Sequence, residues 1–77
     1  MIQAYILVTV AIGRVKQVAN ELKKVDGMGK VDVVTGPYDI IALVKASSMD
    51  TLSKAVVDGI HKVKGVVDTN TAIIIEL

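Results

Sequence analysis

Two polar clusters and a single histidine carry most of the chemistry open to this sequence. Gly36-Pro37-Tyr38-Asp39 combines turn-forming residues with an amphipathic ring and an anion. A hairpin turn needs only glycine, proline and aspartate; a tyrosine beside the carboxylate also suits an amine-bearing ligand. Asp68-Thr69-Asn70-Thr71 is a polar stretch in an otherwise apolar segment. Its hydroxyls and amide can donate to a carboxylate or accept from an ammonium, though an exposed strand would look the same. His61 lies between Ile60 and Lys62, off the apolar stripe, and reads as an exposed helix residue. One imidazole without neighbouring ligands makes no metal site. Asp26-Gly27-Met28-Gly29-Lys30 partly resembles a phosphate loop, but it follows a helix and precedes a strand, the reverse of the required order. Val31 also stands where a magnesium-binding hydroxyl belongs. It reads as a helix stop with a flexible tip, whose free amides could receive a carboxylate. The carboxylates are scattered, and no pair has a spacing that implies acid–base work. No catalytic residue, cofactor or metal is expected.

Composition narrows the classes further. The chain has 77 residues, 52% hydrophobic and 22% charged, with one proline. That excludes a disordered tail and allows one domain, 1–77. A net charge of +1 gives no electrostatic case for direct nucleic-acid binding. Cysteine is absent, which excludes disulfides and thiolate chemistry and fits a cytoplasmic protein. The most apolar stretch, 4–13, is far shorter than the roughly 20 residues of a membrane span. A signal peptide would open with a basic stretch, and Met1-Ile2-Gln3 carries no charge, so none is expected.

The elements that must position these residues follow from periodicity. Residues 2–10 alternate as a strand, with Ile2, Ala4, Ile6, Val8 and Val10 on one face. In 14–25 the period changes, and Val15, Val18, Ala19, Leu22 and Val25 make a helix stripe. Strands are expected at 30–36, 40–46 and 66–77. A second helix begins with a serine cap at Ser47-Ser48 and carries Leu52, Ala55, Val56, Gly59, Ile60 and Val63. The halves repeat with a 38-residue offset that matches Ile2 with Ile40, Lys16 with Lys54, Val25 with Val63 and Gly27 with Gly65. Two βαβ units of this length predict an α+β, ferredoxin-like βαββαβ fold: a four-stranded antiparallel sheet with both helices on one face.

The other face then shows Tyr5, Leu7, Ile41 and Leu43, with Ile74 or Ile73 and Ile75 from the last strand. A solvated sheet face should be mostly polar, and a domain this short buries only about 60% of its unfolded surface. These residues are expected to form a dimer interface, two sheets packed face to face as an α+β barrel or sandwich. The alternative is a weakly associating monomer.

Together, the segments AYILVTV, VDGMGKV, VTGPYDIIALV and KVKGVVDTNTAII resemble, over the whole chain, the effector-binding (RAM) domain of the leucine-responsive regulator family, Lrp/AsnC. The resemblance implies a non-enzymatic sensing and oligomerisation module for a small amino acid, with dimers that assemble into an octamer of four. It implies that Asp39 holds the ligand ammonium, that Gly36 and Tyr38 shape the turn around it, and that Thr69 and Thr71 contact the ligand. Met28 and Gly29 of a neighbouring subunit would offer amides to its carboxylate. Members of the family carry a helix-turn-helix ahead of this module, whereas this chain starts with strand one. It is therefore expected to be a stand-alone form that binds no DNA directly and acts with itself or with full-length regulators. Two other readings share the topology. One is a dimeric α+β barrel enzyme, for which Tyr5 and Lys45 would be the candidates; the other is an ACT-type regulatory domain.

Overall fold

A computed structural model describes residues 1–77. The order is β1 (Ile2–Val10), α1 (Val15–Leu22), β2 (Met28–Val33), β3 (Ile40–Ala46), α2 (Met49–Lys54) and β4 (Val66–Ile73). The strands form one sheet in the order β2-β3-β1-β4, every pair antiparallel. This is the expected ferredoxin-like arrangement.

Alternation in the central strands decides where the core lies. Ala4, Ile6, Val8 and Val10 of β1 and Ile40, Ala42, Val44 and Ala46 of β3 are buried beneath the helices. Val18, Ala19 and Leu22 of α1 close over them, with Leu52, Val56 and Ile60 from the second helical segment. Every buried residue is hydrophobic, so burial needs no polar partner to offset it. The helix start at Ser48 also stands as expected, its hydroxyl accepting from the Thr51 amide at 3.2 Å. Gly27 and Gly65, equivalent in the repeat, both take left-handed backbone in the turn between a helical segment and the next strand, at φ +87° and +106°.

Four elements differ from the sequence expectation. α1 ends at Leu22 rather than 25, because the Lys24 and Val25 amides turn back onto the Glu21 and Leu22 carbonyls and tighten the last turn. β2 starts at Met28 rather than 30, since Met28 pairs with Val44 across a bulge at Gly29, and it stops at Val33 rather than 36. The second helix widens over Ala55–Gly59 to i→i+5 bonding and tightens at Ile60–Lys62. β4 ends at Ile73 rather than 77.

Candidate functional site

The Gly36–Asp39 turn is built by backbone bonds at the end of the sheet. The Val34 amide donates to the Asp39 carbonyl at 2.9 Å, and the Asp39 amide donates to the Val8 carbonyl at 3.0 Å. Gly36, at φ +125°, supplies the left-handed residue that reverses the chain. Tyr38, in the same turn, is half-buried. The β1–β3 pairing ends at Val8 opposite Ile40, so the next inward amide of β1, that of Val10, has lost its strand partner. The Asp39 side chain takes that place: Oδ2 accepts from the Val10 amide at 2.8 Å. One carboxylate oxygen is thus fixed by the backbone, and Oδ1 is left without a protein donor.

The second cluster flanks the same stretch of β1 from the other side. Thr69 lies opposite Val8 and Thr71 opposite Ile6, which puts both hydroxyls on the helix face. Thr69 and Asp39 therefore sit at one end of the sheet, separated by β1. Two strand spacings set that separation at roughly 10 Å between backbones. Thr71 lies one alternation further along. It borders a depression of about 230 Å³ with Met49, Leu52, Val57 and Ile73.

His61 has a role that its sequence position did not suggest. Its Nε2 lies 2.7 Å from Thr69 Oγ1, tying the end of the second helix to β4. It is exposed, as expected, yet it is a partner of a candidate ligand residue. The only hint in the sequence is indirect: a helix stopping just before Gly65 must set its last turn beside the strand that follows.

Met28 and Gly29 are not brought to Asp39 within the chain. Met28 lies opposite Val44, which lies opposite Ala4, so the loop is at the other end of the sheet. The Met28 amide also donates to the Val25 carbonyl at 3.1 Å. Within the chain that amide is therefore taken up by its own turn. The tip is part of β2 rather than a loose loop, and only a second copy could bring it near Asp39.

On the open face, Tyr5 lies opposite Leu43 and Leu7 opposite Ile41, which places all four residues where alternation put them. Tyr5 is 45% exposed, and the other three are half-buried. Ala72, not Ile73, shares this face opposite Tyr5. The Ile74 amide bonds to the Gln3 carbonyl at 2.9 Å, which brings Ile74 to the same rim. The apolar stripe is bordered by a Lys30–Asp32 ion pair at 3.5 Å on β2 and by Asp68 and Asn70 on β4. No three His, Asp or Glu side chains converge as a metal-ligand set. No helix is long and apolar enough to cross a membrane.

Comparison with known proteins bears on this arrangement. The Lrp/AsnC ligand binding domain model matches residues 3–77. The uncharacterized HTH-type transcriptional regulator PH0140 of Pyrococcus horikoshii is 32% identical over 73 residues, which is 95% of this chain and 46% of that protein. The chain thus spans less than half the length of this curated relative. Among solved structures, TTHA0845 from Thermus thermophilus superposes with a TM-score of 0.94 at 31% identity, covering 100% of this chain and 96% of that one. The NMB0573/L-Met complex from Neisseria meningitidis has a TM-score of 0.87 at 21% identity, covering 97% and 50%, and shares the fold.

Proposed function

This chain belongs to the Lrp/AsnC ligand-binding domain family, and on that premise we propose that it is a non-enzymatic amino-acid-sensing and oligomerisation module. It acts in the cytoplasm by assembling with itself or with full-length regulators of the family. The observation that carries the reading is the Asp39 carboxylate, oriented by the Val10 amide through one oxygen and open at the other. A carboxylate positioned before the ligand arrives loses little freedom on binding, so its attraction for an ammonium goes into affinity. Tyr38 and Gly36 form the wall around it. Thr69, held by His61, and Thr71 lie across β1 from it and meet the part of the ligand that extends beyond its α-carbon. A neighbouring regulator was solved with L-Met, which supports the amino-acid class.

Self-assembly supplies the rest. Tyr5, Leu7, Ile41 and Leu43 pack against the same residues of a second copy, with the two sheets about 10 Å apart. A charge-bordered apolar stripe of this kind is what a paired sheet requires and a solvated one does not. Further association of dimers, up to four in a ring, brings Gly29 of one subunit toward the Asp39 turn of another.

The test is calorimetric titration with the common amino acids at a protein concentration that preserves the oligomer, with solution mass measured in parallel. Heat with at least one amino acid, abolished by its des-amino analogue, is the expected result. Silence with all of them and an unchanged mass would leave an assembly module without a sensor.

A further inference from the structure

The two edges of the sheet differ. β2 is protected: a bulge at Gly29 interrupts it, and the Lys30–Asp32 ion pair stands along it. β4 has fewer of the devices that usually protect an edge, Asp68 being its one charged residue. Its run Val67–Ile73 contains no lysine, proline or bulge; the one irregularity lies before it, where Thr9 and Val10 meet Val66. The Ile74 amide bonds to Gln3 of β1, so the even positions of β4 face inward along the ladder. Alternation turns the N–H and C=O groups of Val67, Thr69, Thr71 and Ile73 outward, where no strand meets them. Such an edge is a template for another strand.

Apolar surface lies along this edge as well. Met49 and Val57 on the second helical segment and Ile73 on β4 are 49%, 52% and 43% exposed. They border one shared depression on the helix side of the strand.

We propose that β4 docks against β4 of a second copy, antiparallel, with the two-fold axis at Asn70. The occupant is a second copy because the strand is complementary to itself in this register. Val67 falls opposite Ile73 of the other copy and Thr69 opposite Thr71, so apolar meets apolar and hydroxyl meets hydroxyl. Asp68 falls opposite Ala72, which avoids the like-charge contact that an axis at Asp68 would create. The two second helices approach across the junction and cover Met49, Val57 and Ile73. His61 holds the Thr69 hydroxyl on the helix face, clear of the backbone groups that pair. This edge contact is separate from face-to-face packing and does not depend on ligand sensing.

The chain has no cysteine, so introduced thiols report on the register directly. Opposed residues in a hydrogen-bonded pair have Cα atoms about 5.5 Å apart, within disulfide reach. Thr69 and its own copy would be roughly 8–9 Å apart, which is too far. Thr69→Cys and Thr71→Cys chains are therefore prepared separately and mixed under mild oxidation. The expected result is a mixed disulfide dimer formed at least about 5-fold more than either variant forms alone. Carrying Leu43→Lys in both chains should leave this cross-link in place, because both thiols lie on the helix face, away from the packed face. Ala72→Asp, which sets a second carboxylate opposite Asp68 of the other copy, should reduce the cross-link several-fold, and adding Asp68→Lys should restore it. Cross-linking no greater in the mixture than in the separate chains would overturn the proposal, and so would indifference to the charge exchange.

Discussion

Replacing Asp39 with alanine and with asparagine separates its two tasks. Alanine leaves the Val10 amide without an acceptor in a residue that is only 7% exposed. The bond is 2.8 Å and charge-assisted, a class that contributes about 1.5–3 kcal/mol. Asp39 is only half-buried, so the lower part of that range, about 1.5–2 kcal/mol, applies. For a domain of this size each kcal/mol shifts Tm by about 4–8 °C, which predicts a fall of roughly 6–16 °C. Asparagine keeps an oxygen for the same amide and should cost only about 0.5–1 kcal/mol. It removes the charge, however, so amino-acid affinity should drop at least about tenfold in both variants. Urea denaturation at one fixed protein concentration, because self-association adds to apparent stability, gives the first quantity and calorimetry the second. If alanine is within about 0.5 kcal/mol of the parent, the carboxylate does not hold the turn. If asparagine is as unstable as alanine, the charge and not the oxygen is what Val10 requires.

Two further perturbations address packing. Leu43→Lys places a charge opposite Tyr5 in the middle of the open face; leaving it unpaired between sheets costs about 3 kcal/mol or more, so face-to-face association should weaken by roughly 100-fold in sedimentation equilibrium. An unchanged mass would mean that another surface makes the dimer. Gly59→Ala would put its Cβ 2.7 Å from Val25 Cγ1, an overlap expected to cost about 1–3 kcal/mol. Thermal melts should show that loss, and Val25→Ala in the same chain should recover most of it.

Periodicity was enough to locate the strands and to sort their faces. β1 and β3 were readable because their alternation is uninterrupted, and Ile2–Val10 and Ile40–Ala46 were found where expected. The wide turn in the second helix was missed, although the spacing hinted at it. Leu52, Val56 and Ile60 are buried four apart, slower than the 3.6 of a regular helix. The start of β2 was set too late because a glycine after a helix reads as a stop, whereas here Gly29 is a bulge that lets pairing continue from Met28. At the candidate site, the turn residues were legible from their types. The partners of Asp39 and Thr69 were not, because Val10 and His61 reach them through the tertiary fold and no local pattern records such a meeting.

The strand order also determines how the chain can fold. β1 and β2 belong to the same half of the internal repeat, yet β3 lies between them; β3 and β4 are likewise separated by β1. Neither half contains a ladder of its own, and each interleaves a strand into the gap left by the other. A fragment ending before Pro37 would have two strands with nothing to bond between them. Ordering of the chain is therefore cooperative and joins the two halves, and one edge of β1 stays unpaired until the last strand has emerged.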